Sequence, residues 1–404
     1  MSRKISVGVS LALVLASIAA TFAITMAFSQ SIYNRLISNI SGRAEMYAAV
    51  DDINALIRSN YYFFGSINNE NINRSIANGY IEGLGDPNSR LLTAAEYIAY
   101  NNRLNGNASG VGITTAWNAS EKTLVVTSVA NGSSAATKGI KKDDVIIKIA
   151  GERVTSRNYE QLLETLSGDT LSTISVTCIR KGTELEFNVT VGYSYVSVSR
   201  KTVGSVGYIR ISDFYANTQE QLKEAVGALQ DSGVSALVFD LRGTSNGTVE
   251  YAAAAIDCIT PICSNQDEVL VKLVGRDGST ILSYPSTSNN VNLRMAVLID
   301  EKTAGPAELF ACDLRDFGKA VLIGTNTAGV GTAQQTFTLE DGSAVVLTTS
   351  KIIPYKSEPF HETGLKPDYE VTLEADAAGS PELLAEKDDT QLQKAISVLS
   401  EKLI

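Results

Sequence analysis

An uncharged apolar run from Ile5 to Phe28 opens the chain. At 1.5 Å rise per helical residue, about 24 residues extend roughly 36 Å, more than a hydrocarbon core of about 30 Å. The run predicts a transmembrane helix; Arg3 and Lys4 ahead of it place the short N-terminus in the cytoplasm and everything after Gln30 outside. A cleaved secretory signal is the competing reading, but its apolar part is usually about 7 to 15 residues, so the length favours a retained anchor. Further on, Met46, Val50, Ile53 and Ile57, then Ile72, Ile76, Tyr80 and Leu84, recur at helical spacing until Gly85-Asp86-Pro87 stops the run. Thr93-x-x-Glu96 reads as a capping box opening a third helix. Residues 1–30 are thus read as stub and anchor, and residues 31–107 as a helical N-terminal segment.

The period changes after the Asn/Gly-rich stretch 101–110. Between residues 108 and 195 the pattern is β-type: Thr123 to Val129, Val145 to Ile149, and a hairpin in which Ile174, Val176 and Cys178 alternate before Lys181-Gly182 turns into Leu185, Phe187, Val189 and Val191. One helix, near Tyr159 to Leu166, interrupts it. From residue 196 to 404 strands alternate with helices: Val206 to Ile211, a helix from Thr218, Ala236 to Asp240, a helix near Val249 to Ile259, Met295 to Ile299, a helix from Pro306, Ala320 to Ile323, then a strand Val345 to Ile353 and a closing helix Gln391 to Leu403. This alternation predicts an α/β domain with a mainly central sheet and crossover helices. The fold class is multidomain α/β: anchor, helical segment, β-rich domain and mixed-sheet core.

The 404 residues and 44% hydrophobic content suit a globular multidomain chain, and a formal net charge of −10 disfavours nucleic acid or anionic lipid as a partner. The chain has one histidine, His361, and four cysteines with no C-x-x-C pair, so no zinc site of ordinary spacing is expected, nor any cofactor. Cys258 and Cys263 lie near enough to pair around Pro261 in an oxidising compartment; reduced core thiols are an equal alternative. Candidate chemistry gathers in two loops after strand ends, where α/β sheets bind ligands. Asp300 to Glu308 is a strand-turn-helix elbow with Pro306 at the first helical position, exposing Gly305 near the positive end of the helix. Asp240 to Thr248 is glycine-rich, and Gly243, Asn246 and Gly247 are candidate oxyanion donors. Ordinary connections with glycine at positive φ account for both loops equally well.

The phrases Gly110-Val111-Gly112-Ile113, Asn131 to Ala135 and Gly139 to Val145 resemble a PDZ domain of the circularly permuted kind. The resemblance implies that Gly110 to Ile113 bind a peptide carboxylate while the peptide adds as a strand; a tight turn is the plainer reading of the glycines. Over nearly the whole chain, the phrases at 83–87, 206–211, 240–242, 304–308, 318–324 and 364–368 resemble the C-terminal processing (tail-specific) serine peptidase family. That family implies a helical segment, a PDZ domain reading substrate C-termini, and a peptidase domain with a Ser-Lys dyad. Here the nucleophile position falls on Gly305, the general-base position on Val330, and the assisting glutamine on Gln334. Nothing at the first two can attack or take a proton. The sequence therefore predicts an inert, membrane-anchored, extracytoplasmic relative that binds peptide C-termini or a partner protein, such as an active peptidase or a second copy. The alternative is an active endopeptidase with a relocated nucleophile such as Thr303, or Thr332, served by Lys302 or Lys319; a purely structural role is the third reading. His361 is expected at the surface.

Overall fold

The computed structural model describes residues 21, 25–26, 47–108, 110–130, 132–167, 172–261, 269–287, 291–374, 381 and 384–401. The predicted anchor at 5–28 falls almost wholly outside them, and no helix among the described residues is long and apolar enough to cross a membrane.

The chain divides into two compact units at Ile76/Ala77. In the first, residues 47–60 are helical. The helix Asn69–Glu82 follows, with no buried residue.

The second unit holds both remaining domains and the later part of the predicted helical stretch. Arg90–Leu92 is a strand that pairs antiparallel with residues 344–346, so this stretch belongs to a sheet of the core. Thr93 then caps the helix Ala94–Leu104, accepting from Glu96 N–H while the Glu96 carboxylate takes Thr93 N–H at 2.8 Å.

The β-rich domain is an antiparallel sheet in the order Ile113–Asn118, Thr123–Val129, Val145–Ile149, Ser172–Arg180, Thr183–Val191, with Glu152–Arg153 added to the third strand. Leu124, Val126, Ile146, Val176, Cys178 and Val189 form its core, which is why those strands alternate in the sequence. Ile113–Asn118 is an edge strand beside the helix Tyr159–Thr165, and Trp117 stacks on Tyr159 with ring centroids 4.6 Å apart. Entry and exit of the domain run together: Asn107–Ala108 pairs with Tyr193–Ser194, and Asn217 Nδ2 lies 3.1 Å from Gly106 O and 2.8 Å from Tyr195 O.

The larger domain is built on a six-stranded sheet, Val198–Val203, Val206–Ile211, Ala236–Asp240, Arg294–Ile299, Ala320–Gly324, Tyr369–Glu370, parallel except for its first pair. Successive side chains go to opposite faces. Leu237, Phe239 and Val297 pack under the helices Thr218–Asp231, Val249–Asp257 and Pro306–Asp316, while Val238, Ala296 and Leu298 pack under Thr390–Ser400. Burial on both faces explains the continuous apolar runs of these strands. A second, antiparallel sheet joins Arg90–Leu92, Ala344–Ile353, Val271–Gly275 and Thr280–Tyr284, with Thr332–Thr338 on the other side of Ala344–Ile353. Of these, only the strand at 345–353 was legible in the pattern. Cys258 is a buried free thiol 3.0 Å from the Ala255 carbonyl; Cys263 lies outside the described residues.

Candidate functional site: the elbow and its cleft

Strand Arg294–Ile299 delivers the chain into a turn tied down by Asp300. Its carboxylate accepts from Gly243 N–H at 2.9 Å and Lys302 N–H at 3.1 Å. Thr303 is fully buried: its hydroxyl sits 2.9 Å from both the Leu241 carbonyl and Asp300 Oδ1, and accepts Asp300 N–H. Buried and with its hydroxyl engaged, it is a strut of the turn and does not line the cleft. Lys302 is exposed, and Lys319 sits at the other end of its strand with Nζ 3.2 Å from Val291 O, so neither amine joins Thr303.

Gly305 ends the turn at φ 58°, ψ −112°, a backbone setting that side-chain-bearing residues rarely adopt. There is room beyond it. A Cβ placed there would lie 3.8 Å from Val330 O and 4.0 Å from Val330 Cγ1, so the structure brings Gly305 and Val330 face to face. The buried Glu308, in the first turn of helix Pro306–Asp316, holds them there. Its carboxylate accepts from Gly305 N–H at 2.9 Å, Gly329 N–H and Val330 N–H at 2.8 Å each, and the Thr327 hydroxyl. Burial pushes its carboxyl above the usual range, and those donors work against the push.

The expected oxyanion donors fare differently. Gly243 N–H is consumed by Asp300. Asn246–Gly247 lies against Asp213–Phe214 as a short parallel bridge, and the Asn246 amide donates to Asp213 Oδ1 at 3.0 Å. Gly247 is required there, since a Cβ would come within 2.1 Å of the Phe214 carbonyl. The sequence reading missed a further point that was in plain view. In a strand-turn-helix elbow, the N–H of the residue after the nucleophile supplies one oxyanion donor. With the expected nucleophile position on Gly305, that residue is Pro306, which has no N–H.

Gly305, Val330, Asn246, Gly247, Thr332 and Gln334 all border one cleft of about 320 Å³. Gln334 is exposed, with Nε2 3.2 Å from Thr348 Oγ1 and 3.4 Å from Thr332 Oγ1. Arg90 and Arg103 border it too, and no local pattern pointed to them. His361 is half-buried: its backbone packs against Gly331, where a Cβ would come within 2.6 Å of His361 N. It does not line the cleft.

In the loop 110–113, expected to take a peptide carboxylate, Gly112 is closed in, a Cβ there falling 2.1 Å from Ser133 Cβ. Val111 is a core residue, 1% exposed, whose N–H donates to Leu166 O at 3.1 Å and is therefore not open to a ligand. Cys312, Asp313 and Asp316 place ligand-type atoms within 4.8 Å of one another. Asp316 is already occupied by Lys356 N–H, Ser357 N–H and the Ser357 hydroxyl. Burial drives Asp313 well above the carboxylate range, so the group reads as a helix-to-loop tie.

Residues 205–371 match peptidase family S41, and residues 103–177 match the PDZ domain. A CtpA-like serine protease of Staphylococcus haemolyticus is 27% identical over 321 residues, covering 77% of this chain and 64% of that protein. Its counterpart in Staphylococcus aureus strain MRSA252 is 27% identical over 326 residues, covering 79% and 63%. The chain thus spans a little under two thirds of the length of these relatives. A crystal structure of an S41-type protein from Bacteroides fragilis shares the fold at 20% identity and a TM-score of 0.50, over 86% of this chain and 96% of that one.

Proposed function

We propose that this chain, which carries a peptidase family S41 domain behind a PDZ domain, is a catalytically inert member of that design that binds peptide C-termini or a partner protein. The single observation that carries the reading is the facing pair Gly305 and Val330, which offers neither hydroxyl nor amine. Covalent hydrolysis needs a nucleophile with a base in reach. Losing the nucleophile of a comparable hydrolase lowers the rate by about 10⁶, or about 8 kcal/mol of barrier. Pro306 takes away an oxyanion donor as well, and Thr303, the alternative nucleophile, is buried with its hydroxyl engaged. What persists is the binding apparatus: an edge strand, a glycine loop and a flanking helix in the PDZ domain. The apolar run 5–28 supports a membrane anchor with the body outside the cell.

The test incubates the full-length protein with an unstructured protein and with fluorescent peptides bearing apolar C-termini. The expected result is no cleavage above a blank, together with saturable binding of free-acid peptides, whose contact with the PDZ strand is lost in Gly112→Ala. Cleavage that disappears in Thr303→Ala would overturn inertness; failure of every peptide to bind would overturn the binding role.

A further inference from the structure

We propose that the vacated cleft is itself a carboxylate site, seating the C-terminal carboxylate of a bound peptide against Arg90 and Arg103 with the last apolar side chains in the adjoining groove. The inference rests on the inert-binder reading and adds a second place of binding to it.

The charge is out of keeping with the chain. A molecule of net charge −10 puts two guanidinium groups and no carboxylate around this cleft. They converge from separate elements, Arg90 from the strand Arg90–Leu92 and Arg103 from the last turn of the helix Ala94–Leu104. Neither is ion-paired to a described residue. Arg90 lies over the Tyr100 ring at 5.2 Å with Nη1 3.4 Å from the Asn88 carbonyl, and its other N–H groups have no partner among the described residues. The nearby acid Asp213 is buried and bonded to the Tyr195 hydroxyl and the Asn246 amide.

The opposite wall decides which kind of anion fits. Gly305 N–H is spent on Glu308 and Pro306 has none, so an anion here is held by side chains, not by the elbow's backbone. With no side chain on Gly305, the space in front of Val330 is left open. The cleft shares Tyr100, Gly247, Pro306, Thr332 and Gln334 with a groove of about 280 Å³ that runs on to Leu273, Ile281, Leu282 and Tyr284. Ile281 and Leu282 are 49% and 50% exposed, apolar surface awaiting a cover. Glu250 is the one acid along the groove, and it repels a carboxylate from that end. A cationic head and an apolar tail, joined in this order, match a peptide that ends in apolar residues with a free carboxylate.

The probe is a hexapeptide with an apolar C-terminus and an internal benzophenone, photo-crosslinked to the full-length chain and mapped by mass spectrometry, with its C-terminal amide as comparison. The free acid is expected to label segments 273–284 and 330–335, and the amide to label them about tenfold less. Arg90→Ala with Arg103→Ala should lower cleft labelling about tenfold while labelling along 113–118 stays unchanged. Arg90→Lys with Arg103→Lys should restore part of it, and added salt should weaken it. Gly112→Ala should leave cleft labelling in place. Labelling confined to the PDZ strand, or cleft labelling indifferent to the amide or to loss of both arginines in a folded variant, overturns this site and leaves the PDZ reading standing. Labelling of the cleft alone does the reverse.

Discussion

Glu308 carries more of the site than its neighbours do. Four donors from three places in the chain end on one buried carboxylate, and leaving such groups unpaired costs about 1–3 kcal/mol each. Glu308→Ala is therefore expected to lower stability by about 3 kcal/mol or more, read as a shifted urea midpoint in far-UV circular dichroism. A second single-residue prediction concerns Asp144. Burial alone would raise its carboxyl, but the Arg180 guanidinium at 2.6 Å, Lys141 N–H and the nearby positive charge hold it below its usual 3.8. A lowered folded-state value stabilises the ionised form, so the contribution is complete above the unfolded value and fades as pH falls through the lower, folded one. Asp144→Asn should cost about 2 kcal/mol at neutral pH, and the gap to the unaltered protein should close below about pH 4. Trp117, the chain's one tryptophan, sits in this domain and reports its unfolding by fluorescence.

Among elements, the C-terminal helix Thr390–Ser400 is fastened across the sheet by its own cap. Asp389 accepts Leu392 N–H and also pairs with Arg242 at 2.8 Å, while Arg242 binds Asp240 at 2.6 Å, all of them buried. Asp389→Ala removes the cap and half of the arginine's compensation, and should destabilise by about 3 kcal/mol with early hydrogen exchange along the helix. This helix and the parallel strands at 206–211, 236–240, 294–299 and 320–324 were legible in the sequence because each has a one-sided or wholly apolar pattern, whereas the two-residue strand Tyr369–Glu370 was not. Val271–Gly275, Thr280–Tyr284 and Thr332–Thr338 were not, since their side chains are largely exposed or mixed and leave no period to read. Gly305 and Val330 could be placed from motif spacing. Arg90 and Arg103 could not, because only folding brings them to the same cleft.

At the scale of the whole molecule, the PDZ domain is tethered to the core at one seam. Asn217 bridges Gly106 and Tyr195, and Gly106 has no room for a Cβ, which would meet Asn217 Cγ at 2.4 Å. Asn217→Ala should loosen the seam without damaging either core. The expected outcome is a Trp117 fluorescence transition that separates from the circular dichroism transition of the larger domain; coincident transitions would show that the seam is held elsewhere.

In the proposed reading, Pro306 is a third missing part beside Gly305 and Val330, because its ring carries no N–H toward the elbow's oxyanion position. Neither Gly305→Ser nor Val330→Lys alone should yield hydrolysis, and the double variant should turn over about 10²- to 10³-fold more slowly than the triple variant that adds Pro306→Ala, read as cleavage of a fluorescent peptide. The proline ring would thus lock the chamber a second time, independently of the absent hydroxyl and amine.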